Sequence, residues 1–234
     1  MSKLEKIINY IIYSFRDEPL KLGKLKLAKI LWFSDRAFMY KYSEALTGLE
    51  YIKMQYGPLP KKYEKILKEL EIKGIIHVYQ SNAYGNDDKK QICFHSLVEP
   101  NMSDFKAKEI QIIDEVMARL KDERAVDLSK QTHDKLWESV NIGEIMPIEA
   151  VFWNDIENAN EEDIKWAKDV LKAKGFYADT KLLPKINALC LGAEKFKTKA
   201  TPICTDTYLL KMGKMSIVYK NFKDKIKIIE IHIF

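Results

Sequence analysis

The spacing of apolar residues changes once along this 234-residue chain, and that change constrains the fold more than any other feature. As far as about residue 172 most apolar side chains recur every three to four positions, the period of a helix face; beyond Gly175 β-branched residues crowd together and alternate with polar ones. Leu4, Ile7, Ile8, Ile11, Ile12 and Phe15 predict a first helix that stops near Pro19. Leu27, Ile30, Leu31, Ser34 and Phe38 form the stripe of a second, with Lys24, Lys26 and Lys29 expected away from it. Residues 46–56 read as a short strand ended by a proline-punctuated turn, Gly57-Pro58-Leu59-Pro60, which leads into a helix stopping at Gly74. Residues 75–80 and 91–97 bracket a polar loop as a hairpin. Ser103 or Asp104 is placed to cap a long helix carrying Phe105, Ile110, Ile113, Val116, Met117 and Leu120, and a short helix opening at Leu128-Ser129 carries His133 and Trp137. Residues 159–174 and 182–196 read as helices around the change of pattern. After a Thr-Pro break, residues 208–212, 215–220 and 225–234 read as strands. The expectation is an α+β protein: a mainly helical domain with a short β-hairpin over residues 1–175, then a small β-rich extension over 176–234.

With 47% hydrophobic and 31% charged residues the chain can bury a core, and it lies far from the composition of a disordered one. Three widely spaced cysteines, Cys93, Cys190 and Cys204, suggest neither a disulfide framework nor a metal knuckle. Charges interrupt the apolar residues of the first two turns, unlike a secretory leader, and no run approaches the roughly 18 apolar residues of a membrane span. A cytoplasmic protein with no membrane partner is expected. The net charge of +5 conceals a basic–acidic–basic order: 15 Lys/Arg against 9 Asp/Glu in residues 1–74, 13 against 20 in 75–175, and 11 against 5 in 176–234. Only four basic residues are arginine, which leaves few bidentate donors for phosphates or bases.

Chemistry-bearing motifs are scarce. The scattered glycines make no phosphate-binding loop, and His77, His95, His133 and His232 show no metal-ligand spacing, so neither a cofactor nor a metal is expected. No nucleophile-elbow motif anchors a triad, and no catalytic residue is assigned. His133, beside Asp134 and one helical turn from Trp137, reads chiefly as a buried structural histidine. Tyr56, Tyr63 and Tyr84 could anchor a protein interface, with Tyr56 and Tyr63 read rather as core.

Three stretches together resemble the Panacea domain, the SocA-like antitoxin family of bacteria and phages. They are Leu27-Ala28-Lys29-Ile30-Leu31-Trp32-Phe33-Ser34-Asp35-Arg36; Leu46-Thr47-Gly48 with Tyr56-Gly57-Pro58-Leu59-Pro60; and Leu128-Ser129-Lys130-Gln131-Thr132-His133-Asp134-Lys135-Leu136-Trp137. The resemblance spans about residues 1–172. It implies a mostly helical domain that counteracts a toxin, with Trp32, Asp35, Arg36, Thr47, Gly48, Tyr56, Gly57, Pro58, Pro60, His133 and Trp137 as motif positions, either structural or partner-binding. Residues 208–219 and 225–231 also resemble the final strands of RelE/ParE-type toxins, although Met215-Ser216 stands where that pattern has Tyr-Arg; the segment is either a toxin remnant or an independent small β extension that caps the helical domain.

The function expected is that of an antitoxin-like protein that binds a cognate protein toxin and is not an enzyme. The alternative is a DNA-binding repressor that contacts operator DNA through a winged-helix-like N-terminal region, its wing the hairpin of residues 75–97. A homodimer is left open.

Overall fold

A computed structural model of the chain describes residues 1–83, 86–172, 200–212, 215–222 and 225–233. Tyr84, Cys190 and the helix expected over residues 182–196 lie outside the described residues. The chain divides into two compact units, Met1–Ile148 and Glu149–Phe234. It is α+β, as expected: helices dominate the first unit and an antiparallel sheet the second.

In the first unit, helix α1 (Lys3–Ser14) begins at Ser2, whose hydroxyl accepts the Glu5 N–H while the Glu5 carboxylate accepts the Ser2 N–H. It buries Ile7, Ile8, Ile11 and Ile12, as the period requires. Helix α2 (Lys24–Tyr42) departs from its expected stripe. Lys26 and Lys29, placed on a wet face by the sequence reading, are buried, and so are Leu27, Ala28, Ile30, Leu31 and Trp32; the helix is enclosed nearly all round. Each buried lysine reaches a backbone carbonyl, Lys26 that of Lys121 at 2.7 Å and Lys29 that of Tyr56 at 2.6 Å, and a lysine stem is apolar enough to pack on the way.

Strands β1 (Tyr51–Met54) and β2 (Gly57–Pro60) form a tight antiparallel pair, with Tyr51 opposite Pro60 and Met54 opposite Gly57. The proline-punctuated segment is therefore a strand, and the turn lies one step earlier, at Gln55-Tyr56. The Lys61 N–H donates to the Glu50 carbonyl just beyond the Tyr51–Pro60 pair, so the nitrogens of Pro60 and, two residues back, Pro58 face the outer edge, where no donor is needed. On its other side β1 exchanges backbone bonds with residues 143–146 (Lys53 N–H to Glu144 O, Gly143 N–H to Lys53 O, Met146 N–H to Tyr51 O).

Helix α3 (Tyr63–Ile72) buries Tyr63, Leu67 and Leu70, and stops at Gly74 with φ +65°. Strands β3 (Ile76–Ala83) and β4 (Asn86–Ser96) form the expected hairpin but reach into the polar stretch read as a loop. A two-stranded ribbon exposes much of its surface, so polar residues suit it. Ser103 and Asp104 do not cap a long helix; they sit in a 3-10 turn, and helix α4 (Ala107–Leu120) starts later, where the Glu109 carboxylate accepts the Lys106 N–H. The single helix expected from Leu128 to Trp137 is two, α5 (Ala125–Gln131) and α6 (Lys135–Ser139), because the Asp134 side chain accepts the Trp137 N–H and caps a fresh start.

In the second unit, strand β5 (Ile156–Glu157) precedes helix α7 (Glu161–Lys172), and β6 (Thr201–Cys204), β7 (Thr207–Met212), β8 (Met215–Phe222) and β9 (Lys225–Ile233) follow. The strands run antiparallel in the order β5-β7-β8-β9, with β6 also on β7. Three of them fall where alternation predicts; β6 takes up the Thr-Pro stretch read as a break. Ala167 of α7 packs with Leu209 and Val218, which face each other across β7 and β8. Among the described residues no helix is long and apolar enough to cross a membrane.

Candidate functional site

Helical geometry places Lys29, Trp32 and Arg36 of α2 at i, i+3 and i+7, one above another on a single face. Strand geometry sets Tyr51 and Lys53 of β1 on one side of the pair and Ile52 and Met54 on the other. The two faces meet. Trp32 is 1% exposed and takes the edge of Tyr51, with ring centroids 4.9 Å apart at 70°. The Arg36 guanidinium lies 4.9 Å over the Trp32 ring and bonds Asp134 Oδ2 at 2.7 Å, tying α2 to the start of α6.

Asp35 is fully buried. It accepts the Thr47 N–H at 2.9 Å, the Thr47 hydroxyl at 2.5 Å and the Tyr51 hydroxyl at 2.6 Å. Burial pushes its carboxyl above the ordinary aspartate range, and these donors pull part of the way back. Thr47 in turn accepts the Leu49 N–H, while Gly48, at φ +74°, supplies the left-handed step between them.

Lys29 is also fully buried. It donates to the Tyr56 carbonyl at 2.6 Å and to Thr132 Oγ1 at 3.3 Å, and burial lowers its pKa to about 7. The Thr132 hydroxyl in turn donates a hydrogen bond to the Ser129 carbonyl. Gly57 sits against both groups: at φ +95°, a Cβ there would lie 2.2 Å from Thr132 Oγ1 and 2.3 Å from Lys29 Nζ. Lys53 donates to the carbonyls of Trp137 and Val140, and its ammonium lies 3.7 Å from the centroid of the Trp137 ring. His133 stacks on Trp137 at 3.8 Å. Burial, then the charges of Lys29 and Lys53, lower the His133 pKa. His133 Nε2 and Trp137 Nε1 are buried without a hydrogen-bond partner among the described residues.

The motif stretches thus converge on one polar brace that joins α2, the β1–β2 pair and the α5–α6 corner. Trp32, Asp35, Arg36, Thr47, Gly57, His133 and Trp137 take part in it directly, and Pro58 and Pro60 stiffen the strand beside it. Tyr56 contributes only its carbonyl; its side chain, read as core, is 62% exposed. Lys29, Tyr51, Lys53, Thr132 and Asp134 were not singled out for this role. The available signal was positional, since Lys29 shares a helix face with Trp32 and Lys53 alternates with Tyr51. The charged groups of the brace already have internal partners, which makes it an assembly for holding segments together. Among the described residues no set of three His, Cys, Asp or Glu side chains is placed to hold a metal ion.

Residues 27–138 match the family model described as Antitoxin SocA-like, Panacea domain. The match takes in every motif position named above and ends before the second unit, so it lends no support to the likeness of the C-terminal strands to RelE/ParE-type toxins. Comparison with curated proteins and with solved structures gave no match. The polar brace is therefore the centre of the region, residues 27–138, that matches the SocA-like Panacea domain of antitoxins.

Proposed function

We propose that this chain is an antitoxin that acts in the cytoplasm by binding a cognate protein toxin directly, without catalysing a reaction on it. The observation that carries this reading is the family match over the domain whose motif residues form the brace. A domain braced by internal hydrogen bonds presents its surface to a partner in a fixed conformation, which lowers the ordering cost of binding. The test is co-expression with the product of the adjacent gene, read as growth and as co-purification. Restored growth together with a stable complex is expected, and a gene product that stays fully toxic and unbound would end the reading.

A second reading, contact with operator DNA, draws on the β3–β4 hairpin as a wing, where Lys89 and Lys90 are exposed. It requires binding to the chain's own promoter that weakens steeply with salt. Absence of a shifted band at low salt would remove it.

A further inference from the structure

The brace orders the Gln55-Tyr56 turn and then leaves its one aromatic side chain in water. The Tyr56 carbonyl is clamped by the amine of the fully buried Lys29. The next residue, Gly57, has a positive φ and no room for a Cβ, and Pro58 and Pro60 restrict the strand after it. The tyrosine ring held in this way is 62% exposed, and Met54, at the other side of the turn, is 36% exposed. Tyr63, by contrast, is 5% exposed and bonds the Lys24 carbonyl through its hydroxyl. A tyrosine ring this exposed buries little apolar surface on folding. It does suit binding: the backbone is ordered beforehand, only two side-chain torsions remain to be fixed, and tyrosine is among the residues that dominate interface energetics.

The chemistry around the ring selects the class of partner. Residues 54–60, Met-Gln-Tyr-Gly-Pro-Leu-Pro, carry no charge in a chain that is 31% charged. The brace lysines nearest to it, Lys29 and Lys53, are engaged with backbone carbonyls. A phosphate backbone would find no cation in this turn; the exposed Lys61 and Lys62 follow β2 at the end of the pair away from it, Lys61 bonded to Glu50. An apolar pocket on a protein, with a polar group at its floor for the phenol hydroxyl, would find a match. We infer that Tyr56 is the aromatic anchor through which the Panacea domain engages its protein partner. This rests on the antitoxin reading and assigns it a contact residue.

The experiment uses the full chain as wild type, Tyr56→Ala, Tyr56→Phe and Ile72→Ala, the last a control at an exposed apolar position of α3. The probe is the purified product of the adjacent gene, with affinity, growth rescue and Tm measured for each variant. Tyr56→Ala should weaken the complex by roughly 30-fold or more and lose rescue at an unchanged Tm. Tyr56→Phe should retain most of the affinity and Ile72→Ala all of it. A complex unaffected by Tyr56→Ala overturns the anchor and leaves the antitoxin reading standing. A wild-type chain that neither binds nor rescues removes that reading, and the anchor with it. A Tyr56→Ala variant that loses Tm along with affinity marks the residue as structural, and one that loses promoter binding while keeping the protein complex assigns it to nucleic acid; either result overturns the inference.

Discussion

Among the described residues each unit buries one aspartate, and the two are held in opposite ways. Asp35 is 0% exposed, and among the described residues it pairs with no cation; two hydroxyls and an amide hold it, and burial leaves its carboxyl above the ordinary range. Asp163, 2% exposed in the first turn of α7, accepts the Asn160 N–H at 2.8 Å and bonds Lys211 Nζ at 2.9 Å. Burial pushes its carboxyl up, but Asn160 and Lys211 outweigh that and hold it below the ordinary range. Asp163 draws on a neighbour three residues away and on one lysine of the adjacent sheet. Asp35 depends on donors that arrive only when the loop at Thr47 and strand β1 have docked on α2. The aspartate of the first unit is thus held by neutral donors, that of the second by a helix cap, an ion pair to Lys211 and the Ser216 hydroxyl.

The largest expected effect tests how closely the brace is fitted. Gly57→Ala forces an L side chain into a left-handed backbone and against Thr132 and Lys29, and we expect a loss of roughly 4 kcal/mol, measured by urea unfolding of the first unit. A loss below about 1 kcal/mol would mean that the brace yields, and the contrast between the units would weaken. Asp35→Ala should come next, at roughly 3 kcal/mol, since three donors lose their acceptor in a dry site; Asp35→Asn, which keeps one acceptor, should lose less.

Asp163→Ala removes a cap and an ion pair, and should remove roughly 2 kcal/mol. Hydrogen exchange should show the lost protection in β7 and β8 and leave α2 unchanged; loss in α2 would contradict the confinement of this aspartate's bonds to α7 and its sheet. Its pH dependence has a definite sign. A carboxyl lowered by folding stabilises above its unfolded pKa and ceases to do so as pH falls through the folded value, so the gap between wild type and Asp163→Asn should close below about pH 4.

A further effect lies at the other end of the pH scale. Lys29, lowered to about 7, and Lys26, lowered to about 8, lose their protons more readily in the fold than in the unfolded chain. Stability of the first unit should therefore rise from about pH 7 toward the ordinary lysine range, by roughly 1.4 kcal/mol per pH unit at most for each group. Lys29→Met should reduce that slope without abolishing it, because Lys26 remains. A wild-type curve that is flat from pH 7 to 9 would show that water reaches both ammonium groups.

Much of the fold was legible from residue order alone. The α1 period, the Gly74 stop, the β3–β4 hairpin and the three terminal strands follow from local spacing, because an element that must bury one face states its period in sequence. The motif positions were legible as well, but their work was not. Lysine reads as solvent-facing in isolation, and only the closure of α2 by its neighbours turns Lys26 and Lys29 into buried donors. Ser103 and Asp104 looked like caps because capping chemistry is local, whereas the start of α4 was set by Glu109, which also pairs with Lys3 at 2.7 Å.

By itself the sequence determined the α+β class, the placement of most elements and the residues around which the family is recognised, since all of these depend on spacing along the chain. Tertiary structure alone decided that Gly57 to Pro60 form a strand, that three distant stretches share one polar brace, and that Tyr56 faces water while Tyr63 does not. Those outcomes turn on which donors and acceptors lie within about 3 Å once the chain has folded, a relation between residues up to a hundred positions apart that no local period encodes.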